Sequence, residues 1–113
     1  MDHFGIQFKI LLMSDLQQLE QRVQKFPENE LFRFSLAKGL MDQHQEDSAI
    51  PHLQFCLAKK PDWMVVVMLL GKLLLQKGEL EQAKALYQKG LQLAISQKHE
   101  GPEAEIREIL AKI

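Results

Sequence analysis

Shifted by 34 residues against itself, the chain lays Pro27 on Pro61, Leu36 on Leu70, Lys38 on Lys72, Leu40 on Leu74, Ala49 on Ala83, Gln54 on Gln88 and Leu57 on Leu91. Near matches fill the intervals, with Ala37 on Gly71, Leu53 on Tyr87 and Cys56 on Gly90. The coincidences fall on apolar, small and turn positions, so what repeats is a unit of structure. A unit of this length cannot bury its own apolar face and gains a core only by stacking on its copies. That feature removes most folds from consideration: 113 residues hold two full units, 27–60 and 61–94, with a flank on each side.

Within each unit the apolar spacing is that of two helices. In the second, Asp62 is placed to cap a helix that ends at Gln76, Lys77 and Gly78, a glycine able to take the left-handed conformation that closes many helices. A second helix over 79–97 carries Leu80, Ala83, Leu86, Tyr87, Gly90, Leu91 and Ala94 at intervals of three and four. The first unit reads likewise as helices over 29–43 and 46–60. Upstream, Ser14 caps a lone helix over 14–26, in the register of a unit's second helix, through Leu16, Leu19 and Val23. Downstream, Gly101 and Pro102 break the chain, and 103–113 makes a last amphipathic helix through Ala104, Ile106, Ile109, Leu110 and Ile113. The expectation is an all-α single domain over 14–113: a half-repeat helix (14–26), two repeats (27–60 and 61–94) and a capping helix (102–113).

The run from Trp63 to Leu75, interrupted only by Lys72, is the hardest segment to place. It falls short of the roughly 20 apolar residues of a membrane span, and Val65, Val66 and Val67 lend it strand character. The repeat register outweighs that preference, because propensity is a weak prior beside tertiary packing. As the first helix of a unit, the run turns Val67, Leu70, Gly71 and Leu74 toward its partner helix and Val66, Leu69 and Leu73 toward neighbouring units. Gly71 and Ala83, both small, are expected to meet across the hairpin. Val65, Met68 and Leu75 are left on a third face with Lys72.

These residues resemble the tetratricopeptide repeat. Leu70-Gly71, Gly78, Ala83, Tyr87 and Leu91 follow that family's signature spacing, as Leu36-Ala37, Ala49, Leu53, Leu57 and Pro61 do in the first unit. Within the family the chain is similar to short bacterial proteins that hold two repeats between an N-terminal half-repeat and a C-terminal capping helix. The resemblance implies a right-handed stack of helix hairpins whose first helices line a concave, ligand-binding surface. The chain departs from the pattern at His44, which takes the place of Gly78 where a left-handed backbone is costlier for histidine; a differently built first turn is expected there. It departs also at Pro51, which removes a backbone donor early in its helix, and at Val67, where a large aromatic is usual.

The face so singled out consists of Leu31, Phe34, Lys38 and Met41 in the first unit and Val65, Met68, Lys72 and Leu75 in the second. Two readings are open. Either the flanking helices or residues 4–12 cover this face as added core, or it is exposed to a partner. Contiguous exposed apolar area marks interaction sites, and methionines suit adaptable surfaces. The lysines either anchor an acidic group of an apolar partner segment or are solvated heads with their stems on apolar neighbours. Related repeats clamp acidic chaperone tails with lysine, asparagine and arginine spread over three repeats. Here Phe34, Lys38 and Leu69 stand at such places and a third repeat is lacking, so no such clamp is expected.

Other chemistries find little support. The 14 basic and 15 acidic residues are not gathered into blocks, whereas nucleic-acid surfaces depend on clustered cations. His3, His44, His52 and His99 are dispersed, with no pair at metal-ligand spacing. Cys56 lies at a packing position and, being alone, forms no intrachain disulfide. The chain is therefore expected to be soluble and cytoplasmic, with no catalytic residue, cofactor, metal, nucleic acid or membrane. Residues 1–13, apolar from Phe4 to Met13, lack the charged start and cleavage site of a secretory signal. They are read either as an upstream extension or as an extra apolar strip on the domain. The expected function is a non-catalytic interaction module that holds a peptide or helix of another protein in an apolar concave groove. The alternative is a self-associating scaffold whose groove is covered by its own chain or by a second copy.

Overall fold

The structure, a computed structural model, describes residues 14–113; both readings of residues 1–13 fall outside the described residues. Six helices, with no strand among the described residues, follow one another: α1 Asp15–Lys25, α2 Glu30–Asp42, α3 Glu46–Lys59, α4 Met64–Lys77, α5 Leu80–Ser96 and α6 Glu100–Lys112. Each packs chiefly on its neighbours in the chain. The body measures 59 × 27 × 20 Å and has a radius of gyration of 16.9 Å, where a globular chain of this length has about 13 Å. Growth in one direction is what stacked hairpins produce, and it leaves helix faces open along the stack.

Side-chain caps fix the starts of the first two helices. Ser14 Oγ accepts from the Gln17 N–H at 3.1 Å while Gln17 Oε1 accepts from the Ser14 N–H at 3.0 Å, a reciprocal capping box. The Asn29 side chain caps α2 by accepting from the Phe32 N–H at 3.0 Å. At α4 the expected cap, Asp62, lies one residue outside; Trp63 holds the N-cap position and makes no side-chain cap bond. The last helix also starts earlier than expected. Gly101 and Pro102 lie in the first turn of α6, where backbone N–H groups lack an intrahelical acceptor and proline forfeits nothing. Pro51 sits deeper, in the second turn of α3, yet the helix continues through it. Both Pro51 and Asp47, whose carbonyl loses its donor, are exposed residues.

The turns come in two kinds, each repeated. Between α2 and α3, His44 has φ 58°, and between α4 and α5, Gly78 has φ 85°. The N–H of His44 donates to the Met41 carbonyl at 3.0 Å and that of Gln45 to Leu40 at 2.8 Å; Gly78 and Glu79 donate in the same way to Leu75 and Leu74, at 3.0 and 2.9 Å. This is the Schellman closure. The first hairpin therefore turns as the second does, with a histidine bearing the left-handed backbone. At the prolines between units, Phe26 donates to Arg22 at 2.9 Å and Asn29 to Phe26 at 3.1 Å, matched by Lys60 to Cys56 at 2.8 Å and Trp63 to Lys60 at 3.2 Å. Where a third turn of that kind would fall, α5 runs on to Ser96 and closes in the Schellman manner with Lys98 at φ 58°.

Burial follows the period. Leu36, Ala37, Leu40, Ala49, Leu53 and Cys56 are buried in the first unit, as are Leu70, Gly71, Leu74, Ala83, Tyr87 and Gly90 in the second. The apolar run is enclosed because α4 lies between α3 and α5: Val66, Val67, Leu70, Gly71, Leu73 and Leu74 are all buried. The nearest surface to Gly71 is the Tyr87 ring, for a Cβ at Gly71 would stand 2.5 Å from Tyr87 Cζ. At Gly90 two helices converge, since a Cβ there would lie 2.8 Å from Val67 Cγ1 on α4 and 3.3 Å from Ile106 Cδ1 on α6.

Candidate partner-binding face

Leu31, Phe34, Lys38 and Met41 lie on α2, and Val65, Met68, Lys72 and Leu75 lie on α4. Leu31 and Val65 are each 55% exposed. Lys38 and Lys72 are exposed, and Phe34, Met41, Met68 and Leu75 are half-buried. Phe34 packs on Trp63 with ring centroids 4.8 Å apart. Trp63, absent from the sequence-based set, therefore links the face of α2 to the start of α4. The Lys38 Nζ stands 5.7 Å from the Phe34 centroid. Neither Lys38 nor Lys72 forms an ion pair among the described residues.

The two lysines open onto different clefts. Lys38, with Ser35, Gly39, Asp42 and Gln43, faces Asp15, Leu16 and Leu19 of α1 across a cleft of about 400 Å³. Lys72 lines a second cleft of about 390 Å³ with Met68, Leu69, Leu75 and Gln76 of α4, Tyr87 of α5, and Glu105 and Ile109 of α6. Met68, Lys72 and Leu75 are thus brought together in the second cleft, and Lys38 lines the first.

In the second cleft the apolar walls come from Met68, Leu69, Leu75 and Ile109. Tyr87 is 1% exposed, and burial, followed by the negative charge of Glu105, pushes its phenol above the ordinary range. It stays protonated and able to donate. Its hydroxyl makes no hydrogen bond with a described residue and is not sealed from the cleft it lines. The α6 wall is held by Ile106, the one buried residue of that helix, seated over Gly90 and beside Val67. Ile109 and Leu110 are half-buried, while Ala104 and Ile113 are exposed. The α6 ion pairs, Arg107 with Glu103 at 3.1 Å and Lys112 with Glu108 at 3.2 Å, stay within the helix and contribute little at the surface.

The sequence pattern of the tetratricopeptide repeat matches residues 40–113. The chain belongs to the tetratricopeptide-repeat family. It is 32% identical over 98 residues to the TPR repeat-containing protein PA0015 of Pseudomonas aeruginosa, which covers 87% of this chain and 93% of that protein. The solution structure of protein BPP2914 from Bordetella parapertussis is similar with a TM-score of 0.71 and 29% identity, covering 89% of this chain and 88% of that one. Repeats of this family mediate contacts between proteins.

The remaining polar cluster braces this tetratricopeptide stack. Arg33 Nε donates to the Pro27 carbonyl at 2.9 Å, its Nη1 stands 3.4 Å from His52 Nδ1, and its guanidinium lies 4.3 Å above the Phe55 ring. Burial, and then the Arg33 charge, holds His52 below the usual imidazole range, so the ring is neutral and accepts. A hydrogen bond from its own backbone N–H, and then the Lys60 ammonium at 3.4 Å, keeps the Glu30 carboxyl low. Burial, and then Glu30, pushes the Cys56 thiol up to about 11, and its Sγ donates to the Glu30 carbonyl at 3.3 Å. These contacts tie the turn at Pro27 and the start of α2 to α3. Among the described residues no group of His, Cys, Asp and Glu is placed to hold a metal, and no helix is long and apolar enough to cross a membrane.

Proposed function

We propose that this protein is a non-catalytic interaction module that holds an apolar segment of another protein, peptide or helix, on the face of α2 and α4. Supporting it is a row that recurs on both helices: Leu31, Phe34 and Met41, then Val65, Met68 and Leu75, left partly or largely exposed while the other apolar residues of α4 are buried save for the half-buried Leu69. Each row carries a lysine without an ion-pair partner among the described residues. Apolar contacts supply most of the affinity, and the ammonium groups, strengthened beside low-dielectric walls, orient an acidic group of the segment. The module needs no cofactor or metal.

The test places a photo-crosslinking residue at position 65 in living cells, with position 81 on the exposed side of α5 as the control. The expected result is a discrete adduct from 65 only, lost in Lys38→Glu/Lys72→Glu and in Met68→Asp. An adduct of twice the chain mass, with a dimer in sedimentation, would make a second copy the occupant. An adduct that survives Met68→Asp and the double charge reversal would reject this face.

A further inference from the structure

We propose that the cleft between α4 and α6 is the anchor subsite of that face. It takes one large apolar side chain of a partner segment, an acidic group beside that side chain meets Lys72, and the Tyr87 hydroxyl donates to a backbone carbonyl of the segment. The inference rests on the interaction reading above and names what the site holds. At about 390 Å³ the cleft admits a side chain but not a helix, whose diameter with side chains is about 10 Å. Its walls are apolar, so the anchor is apolar. The Tyr87 residue is 1% exposed, but its hydroxyl is open to the cleft and has no partner among the described residues, so it is hydrated when the cleft is empty and a carbonyl of the segment can take the place of that water.

The hydroxyl reaches the cleft because residue 71 is glycine: its oxygen lies 2.8 Å from where a Gly71 Cβ would stand. The matching pair in the first unit, Ala37 and Leu53, has neither the gap nor a hydroxyl, and Lys38 opens instead onto the cleft with Asp15 and Asp42. The subsite is therefore a property of the second unit with α6, not of the repeat in general. Lys72 on one rim and Glu105 on the other give the segment a direction, with its acidic group toward α4 and any basic group toward α6.

The probe is a ten-residue capped peptide with a central phenylalanine and a glutamate two positions before it, on the same face of an extended segment, titrated against methyl-labelled protein in NMR. Matched peptides carry serine for the phenylalanine or lysine for the glutamate. Saturable shifts at Met68, Leu75 and Ile109 are expected from the first peptide and none from the serine peptide, with the lysine peptide about tenfold weaker, as a charge-assisted contact implies. Tyr87→Phe should weaken the first peptide about fivefold at an unchanged melting midpoint, and Lys72→Met should erase the preference for glutamate over lysine. Shifts confined to the methyls of Leu31 and Val65 would overturn the subsite and leave the wider face standing. Equal affinity of Tyr87→Phe, or no response to millimolar peptide, would overturn the subsite whatever the crosslinking shows. Cleft shifts that follow protein concentration without peptide would overturn it in favour of a second copy.

Discussion

Replacing Gly71 by alanine puts a methyl group where the hairpin has no room. The Cβ would stand 2.5 Å from Tyr87 Cζ and 2.8 Å from both Cε2 and the hydroxyl oxygen, about an ångström inside the separation that non-bonded carbons keep. The ring is rigid and all but buried, so its one escape is toward the α4–α6 cleft. Overpacking of this kind costs about 1–3 kcal/mol, while exchanging glycine for alanine inside a helix returns about 1 kcal/mol. The net expectation is a destabilisation of about 1 kcal/mol, lowering the melting midpoint by roughly 4–5 °C for a domain of this size. Calorimetric melts of the wild type, Gly71→Ala, Tyr87→Leu and the double variant separate the two contributions. In the Tyr87→Leu background the ring is gone, and alanine at 71 should stabilise by up to about 1 kcal/mol, which makes the coupling between the two positions about 1–3 kcal/mol. A higher midpoint for Gly71→Ala in the wild-type background, or an equal effect in both backgrounds, would refute the packing of α4 on α5 through this ring.

Because burial and then Arg33 hold folded His52 below its ordinary 6.5, the unfolded chain binds more protons at this site. The His52 contribution is complete above 6.5 and is lost as pH falls below it; denaturation midpoints from pH 7.5 to 5 should drop more steeply for the wild type than for His52→Gln, and parallel curves would refute this. Cys56, buried with its thiol at about 11, should react with a disulfide reagent at pH 8 only as fast as the fold opens, so prompt labelling of the native protein would contradict its placement. His44→Gly should raise stability by up to about 1–2 kcal/mol by removing a side chain from a left-handed backbone. Gly78→Ala should lower it by a similar amount, and unchanged thermal melts for both would show that neither turn is closed as described.

The fold was legible because burial in a stack is set by place in the period, and each period carries the same large and small residues. Leu36 and Leu70, Ala49 and Ala83, or Leu53 and Tyr87, are buried alike, and no local propensity of Val65 to Val67 competes with that many placed contacts. Helix ends were less legible because capping rules count one hydrogen bond at a time. Asp62 is a good capping residue, yet α4 starts after Trp63, whose ring has Phe34 to pack on. Histidine disfavours a left-handed backbone by about 1–2 kcal/mol, but at His44 that cost is met by two backbone hydrogen bonds and by the docking of α2 on α3.

The binding face was legible only as far as the period holds. The starts of α2 and α4, Glu30 and Met64, are 34 residues apart, but those of α4 and α6, Met64 and Glu100, are 36 apart. The longer α5 and its Schellman closure shift the last helix by two residues, so the buried position over Gly90 is taken by Ile106 and not by Ala104, which stands 34 residues after Leu70. The same shift brings Glu105 and Ile109 to the wall opposite Lys72, a juxtaposition that extrapolating the repeat would not produce. Lys38 and Lys72 are equivalent in the sequence yet differ in surroundings, because each repeat's face is completed by its neighbour and the neighbours are unlike. On one side stands α1 with Asp15 across a cleft that Asp42 also lines; on the other, α6 closes an apolar cleft over a tyrosine hydroxyl. The two lysines therefore do not stand in interchangeable sites, one beside α1 and the other beside α6.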